Sequence, residues 1–401
     1  MSELSDLRAA AASLDAETVV DGLARTFEAW REPGSHWRRR LVREQDTYSA
    51  QVIERGIERG LERWDAEALR RLRAREIDAT TRSPALTAVW LAETVPTGVF
   101  SALALPLLAG SAVYAKPPAS EASRADAVSA RLFAESLREA SEALAAALAL
   151  GDDTEVLLEA DAVVAYGRDE TIELLRGRVG LGTRFVGHGH KLSVAAIGPR
   201  ADIREAAARA AEDVALYDGR GCLSPAYLLV DDMPRGRAEA FAAALCEELE
   251  LLQTQLPRGP LTPAEQVAMR ELRARASMGA GTSLWLSKDT TDWGVLLGPE
   301  AIRPSPGLLR NVPVVAVSGI DGLAGWCRGL APHLSAVGQC GWGDDTPRLA
   351  DIAFSGGGSR VCALGRMQLP PIDWSQDGVG PLRALLSAID VELSSRSGVS
   401  S

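Results

Sequence analysis

Among 401 residues there are only five cysteines and four histidines, and no two cysteines stand in a C-x-x-C pair. That scatter excludes a disulfide framework and a zinc ribbon, and it suits a reducing compartment, so a cytoplasmic protein is expected. Positive charge is in deficit, with 43 basic against 54 acidic residues and a net charge of −11. Nucleic acid is therefore not an expected partner. The opening residues Met1 to Asp6 are polar and acidic, unlike a signal peptide. A 22-residue stretch without charge, Thr94 to Ala115, is interrupted by Pro96, Gly98, Pro106 and Gly110. Such breaks mark pieces of a buried α/β core and not a membrane span. No G-x-G-x-x-G motif follows a strand, so the usual dinucleotide fingerprint is missing. No internal repeat is found.

What is present is an ordinary globular balance, 46% apolar and 24% charged, on a chain long enough for two domains. Residues 1–80 read as helices. Ile53, Ile57 and Leu61 recur every fourth position and form one apolar stripe. Gly56 and Gly60 interrupt that helix at about 1 kcal/mol each, so it needs tertiary support. Trp30, Trp37 and Trp64 belong either to a cover over the core or to a partner surface. From Leu86 onward, apolar strands alternate with Ala-rich helices. Strands are expected near 86–91, 111–115, 155–158, 161–166, 183–186, 192–197, 226–230, 283–286, 293–297, 312–317 and 360–364. Helices are expected near 99–108, 123–150, 202–216, 235–254 and 262–276. This alternation predicts an α/β fold with two α/β domains and mostly parallel sheets, which bind ligands at the carboxyl ends of their strands. The expected division is a helical segment at 1–80, a cofactor-binding domain at 81–197, a catalytic domain at 198–390 and a frayed tail at 391–401.

Cys222 follows Gly219, Arg220 and Gly221. A lone cysteine is usually an inert core thiol, but small residues before it let the chain bend sharply and let a substrate reach the sulfur. His188 and His190 flank Gly189. They read as hydrogen-bonded structural residues, as a base near the thiol, or as metal ligands; no third ligand stands nearby, so no metal is expected. A thiol of pKa about 8.5 is only slightly ionised at neutral pH, and an adjacent imidazole would raise its reactive fraction.

The blocks Asp161–Gly167, Arg184–Ser193, Asp213–Pro225 and Gly365–Pro371, in that order and spacing, resemble the aldehyde dehydrogenase superfamily. Within it they look most like the acyl-CoA reductase (LuxC-like) family, over about Leu86 to Leu386. The resemblance implies an aldehyde dehydrogenase-like fold with Cys222 as nucleophile. Lys116, in a strand ending Lys-Pro, would contact the adenosine ribose or a 2′-phosphate, and Gly167 would let the backbone approach the pyrophosphate. Arg168 stands where serine is usual, and its fork matches phosphate. Ala119 stands where NAD-preferring members carry a glutamate, so NADPH is the expected cofactor. His188 lies 34 residues before Cys222, where hydrolytic members hold a general-base glutamate. A base without a water-activating carboxylate suits acyl transfer from a thioester. Thr94 stands where the oxyanion-stabilising asparagine is usual, beside the backbone N–H of Cys222. Losing one such donor costs about 10²–10³ in turnover.

The implied function is NADPH-dependent reduction of an acyl-CoA or carrier-protein acyl thioester to the aldehyde through acyl-Cys222. The family is compatible with a homo-oligomer or a partner subunit. Thr94 and Arg168 motivate an alternative, a nucleotide-binding scaffold with reduced catalysis.

Overall fold

The computed structural model describes residues 2–92, 95–118, 124–279, 281–288, 290–298 and 309–390. Thr94, Ala119 and the tail at 391–401 lie outside the described residues.

Five helices precede the sheets: Ser2–Ala12, Ala16–Arg31, His36–Glu44, Ala50–Gly60 and Ala66–Glu76. Asp15, Ser35, Ser49 and Asp65 cap the last four by accepting backbone N–H bonds at their starts. Ile53, Ile57 and Leu61 are fully buried. So are the tryptophans: Trp30 packs on Phe100 at 4.6 Å, Trp64 on Phe27 at 4.7 Å, and Trp37 is 4% exposed. They are core residues, which removes the partner-surface reading.

The two helix-interrupting glycines have a packing cause. A Cβ on Gly56 would run into the phenol of Tyr217, and one on Gly60 would lie 2.8 Å from the Thr97 methyl. These two neighbours meet each other, Thr97 Oγ1 lying 3.3 Å from the Tyr217 hydroxyl, so the glycines let the helical cover seat where helix Pro96–Ala109 adjoins the turn before Cys222. Gly56→Ala should therefore lower stability by about 1–2 kcal/mol, because overpacking outweighs the gain in helix propensity. A urea midpoint at or above wild type would contradict that account.

The first sheet is formed by β2 (Leu86–Trp90), β3 (Ala112–Lys116), β4 (Leu148–Leu150), β5 (Ala162–Tyr166) and β6 (Arg184–His188). β1 (Thr81–Arg82) precedes them. Their order is β4-β3-β2-β5-β6, parallel throughout. Two segments differ from expectation. Residues 123–150 are not one helix: Arg124–Ala140 ends, Ser141 caps the single turn Glu142–Ala145, and Leu148–Leu150 pairs with β3 as an edge strand. Alanine and leucine favour helix throughout that stretch, so tertiary pairing overrides propensity. Residues 155–158, read as a strand, form part of the turn of helix Val156–Glu159, which buries Val156 and Leu157.

The second sheet contains β7 (Leu192–Ile197), β8 (Pro225–Asp231), β9 (Ser283–Leu286), β10 (Gly294–Leu297), β11 (Asn311–Val317), β12 (Leu334–Cys340) and β13 (Arg360–Ala363). The order is β13-β12-β7-β8-β11-β10-β9, and only β9 runs antiparallel to its neighbour. β12 went unrecognised in the sequence because Ser335, Gly338 and Gln339 dilute its apolar run. Residues 189–191 cross from one sheet to the other. The chain returns at its end, where β14 (Ser387–Ala388) pairs with β1 and the buried Glu76 carboxylate accepts the N–H groups of Leu382 and Arg383 at 2.8 and 2.9 Å. Among the described residues no helix is long and apolar enough to cross a membrane. The uncharged stretch instead supplies the buried helix Pro96–Ala109 and β3.

Candidate active site

The cysteine turn begins where helix Ile203–Ala215 ends. Tyr217, Asp218 and Gly219 take φ values of 54°, 56° and 72°, a left-handed run that costs about 1–2 kcal/mol at each non-glycine residue. Buried partners hold it there. The Asp218 carboxylate meets Arg310 at 2.6 Å and Arg220 at 3.1 Å and accepts the Gly259 N–H at 3.0 Å. Arg310 also donates to the carbonyls of Ala215 and Leu256 at 3.0 and 2.6 Å. A second clamp comes from the Gly365–Pro371 block. Asp213 accepts from Gly365 and Met367 N–H at 2.6 and 3.0 Å, and Gln368 donates to the carbonyls of Asp213 and Leu216. Burial pushes the Asp213 carboxyl up to about 7, against the pull of those two N–H groups.

Cys222 sits just before β8, and its carbonyl accepts the Ser193 hydroxyl at 2.9 Å. Of the five cysteines it alone is exposed. It opens into a chamber of about 1530 Å³ that is itself walled by protein. Enclosure there pushes the thiol up to about 11, with the Asp377 carboxylate adding to the effect. The backbone N–H groups of Cys222 and Leu223 and the Lys191 ammonium pull the other way. The resting thiol is thus protonated at neutral pH, further from ionisation than a free cysteine.

Both sequence-singled histidines line this chamber, in different ways. His188 Nδ1 lies 2.8 Å from Asp377 Oδ2, and its ring stacks on Tyr166 at 4.8 Å with 23° between the planes. An ionised carboxylate can only accept, so Nδ1 carries the hydrogen and Nε2 of the neutral ring keeps its lone pair. Lys191 Nζ stands 3.5 Å from the other Asp377 oxygen. Burial would raise the Asp377 carboxyl, but the bonds from His188 and Lys191 hold it below its ordinary value. His190 instead secures the crossing loop: its N–H donates to Asp169 at 2.7 Å, and its carbonyl lies 3.1 Å from the His333 ring. Asp377 was not singled out in the sequence. It lies 189 residues from its partner, on a turn with φ of 54°, and no local pattern joins the two. Among the described residues no group of three or more His, Cys, Asp or Glu side chains is gathered as a metal site.

Lys116, Gly167 and Arg168 line the same chamber at the carboxyl ends of β3 and β5. Lys116 lies over the Trp90 ring at 4.8 Å and 3.9 Å from Asp152. Arg168 precedes helix Asp169–Arg176, is exposed, and makes no ion pair among the described residues. Two cations, an open glycine backbone and a helix N-terminus fit the phosphates of a dinucleotide. Small side chains on one face of helix Pro96–Ala109, Gly98, Ser101 and Ala102, leave room on the opposite wall.

This geometry agrees with comparisons to known proteins. A long-chain acyl-protein thioester reductase of Photobacterium leiognathi is 23% identical over 235 residues, which are 58% of this chain and 47% of that protein. The chain thus spans about half the length of that curated relative. A glyceraldehyde-3-phosphate dehydrogenase of Methanocaldococcus jannaschii, solved with NADP, aligns with a TM-score of 0.72 at 13% identity, over 97% of this chain and 93% of that one. Lactaldehyde dehydrogenase of Escherichia coli aligns with a TM-score of 0.72 at 16% identity, over 98% and 89%. The fold is that of the aldehyde dehydrogenases. The family model described as acyl-CoA reductase (LuxC) matches residues 12–388, and the chain belongs to that family.

Proposed function

We propose that the protein reduces an acyl thioester, carried on CoA or on a carrier protein, to the aldehyde with NADPH through an acyl-Cys222 intermediate. The observation that carries this reading is the single exposed thiol sharing one chamber with a carboxylate-paired histidine and the cationic strand ends. As Cys222 Sγ attacks the thioester carbonyl, His188 Nε2 takes the thiol proton, while the His188–Asp377 bond steadies the imidazolium that forms. The backbone N–H of Cys222 faces the developing oxyanion, with the Thr94 hydroxyl as the expected second donor. The departing thiolate takes the proton from His188, leaving the acyl-enzyme. Lys116, Gly167 and Arg168 would hold NADPH, which supplies the hydride that reduces the acyl group. The resulting thiohemiacetal oxyanion collapses to the aldehyde and expels the Cys222 thiolate, which regains its proton from solvent through His188.

The Photobacterium relative is a long-chain acyl-protein thioester reductase, which supports a thioester substrate. The NADP-bound dehydrogenase of the same fold supports the cofactor class. An exposed thiol in the same chamber as a paired imidazole favours a working reductase over a scaffold. Mixing acyl-CoA or acyl-carrier protein with NADPH and the protein should release aldehyde. No aldehyde at any chain length from either donor refutes the reading. Lys116→Ala should weaken NADPH about tenfold more than NADH, since a point charge counts most opposite the 2′-phosphate. Equal weakening, by fluorescence titration, would remove Lys116 from the phosphate.

A further inference from the structure

A second cavity of about 330 Å³ adjoins the catalytic chamber and shares Gly60, Trp64, Pro370, Pro371 and Trp374 with it. None of Lys116, Gly167 or Arg168 lines it, so it lies apart from the cationic strand ends. Its wall carries four guanidinium groups, Arg59, Arg63, Arg360 and Arg366, against one carboxylate, Glu62. That is a local reversal of sign on a chain of net charge −11. The four are not equivalent. Arg59 is neutralised by Glu212 behind it, and Arg366 reaches Glu62 loosely at 3.4 Å. Arg63 is exposed and makes no ion pair among the described residues. Arg360 is pinned by the carbonyls of Met367, Arg366 and Leu369 and lies 5.7 Å from the Trp374 ring. No carboxylate meets it within ion-pair distance among the described residues, though Asp213 acts on it from further off, so Arg360 contributes fixed positive charge to the wall while those carbonyls hold its donors. The exposed guanidinium fork of Arg63 and the half-exposed one of Arg366 match phosphate oxygens.

We propose that this basic vestibule binds the phosphate of a phosphopantetheine-borne acyl thioester, whose thioester end continues past Trp64 and Trp374 to Cys222. The inference rests on the thioester-reductase reading and adds where the donor enters and what it must carry. CoA and acyl-carrier protein present the same pantetheine phosphate, so the site takes either source.

The test follows acylation of Cys222 by intact mass, without cofactor, using one dodecanoyl group on four donors: pantetheine, 4′-phosphopantetheine, CoA and a phosphopantetheinylated carrier protein. Wild-type protein should reach half-saturation with phosphopantetheine at about tenfold lower concentration than with pantetheine. Arg63→Glu combined with Arg366→Glu should erase that difference while leaving the pantetheine reaction and the maximal rate unchanged. Arg63→Ser, one exposed change, should show a partial loss in a protein whose circular dichroism matches wild type. Added salt should act on the three phosphate-bearing donors alone. Tighter saturation by the carrier or by CoA names the source and upholds the site either way. Equal half-saturation by pantetheine and phosphopantetheine in wild type, or equal loss for both in the variants, overturns the vestibule alone. Failure of all four donors to acylate Cys222 overturns the thioester-reductase reading and the vestibule with it.

Discussion

Cys222→Ala should abolish acylation from any thioester donor while the protein keeps its fold and its NADPH affinity. The side chain opens into the chamber and packs little, so its removal leaves no cavity in the core. Alanine at Cys246, Cys327, Cys340 or Cys362 should leave acylation in place; equal loss at any of them would remove the basis for choosing Cys222. The pH dependence carries a sign. With the thiol raised to about 11, the thiolate fraction at pH 7 is roughly three-hundredfold below that of a free cysteine of pKa about 8.5. Iodoacetamide labelling of the free protein should therefore be slow and climb about tenfold per pH unit from 7 to beyond 9. A plateau near pH 7 would mean a standing thiolate–imidazolium pair and would contradict the protonated resting state.

His188→Ala should slow acylation of Cys222 by about 10²-fold, with the defect shrinking as pH rises towards the thiol pKa, where hydroxide replaces the lost base. The pairing with Asp377 gives that expectation a second arm. Asp377→Asn presents an amide that can donate to Nδ1 and so favours the other tautomer, placing the hydrogen on Nε2 where the lone pair is needed. It should slow acylation by roughly tenfold or more and move the pH–rate profile, although Asn matches Asp in size. His190→Ala should do less, because the His190 backbone and not its ring ties the loop to Asp169. An unshifted profile in His188→Ala with a shifted one in His190→Ala would exchange their roles. No change in either would leave the thiol to its own backbone N–H groups.

The periodicity of apolar runs was enough to place most strands of both sheets, because parallel strands buried on two faces read as short continuous apolar blocks. Where that signal is weak the reading failed. β12 is diluted by small and polar residues, and β4 is written in helix-favouring alanine and leucine. Gly56 illustrates another limit. In sequence it is a cost to its helix, and only the approach of Tyr217 gives the reason for it.

The sequence by itself was enough to single out Cys222 as the proposed nucleophile and the two histidines near it, and, through the resemblance of compact blocks to a known family, the strand-end residues Lys116, Gly167 and Arg168. Only the tertiary structure distinguishes the surroundings of His188 and His190, since the His188 ring faces a carboxylate from a distant turn while His190 is held through its backbone. It alone brought in Asp377, the Asp218–Arg310 pair that holds the cysteine turn, and the arginine-lined cavity assembled from residues 59–63 and 360–366. Charge and hydrogen-bond partnerships act over a few ångströms in space and leave no trace at separations of hundreds of residues along the chain. The reactive state of the thiol was hidden for the same reason: a pKa near 11 is set by the walls around Cys222 and not by the residues beside it in sequence.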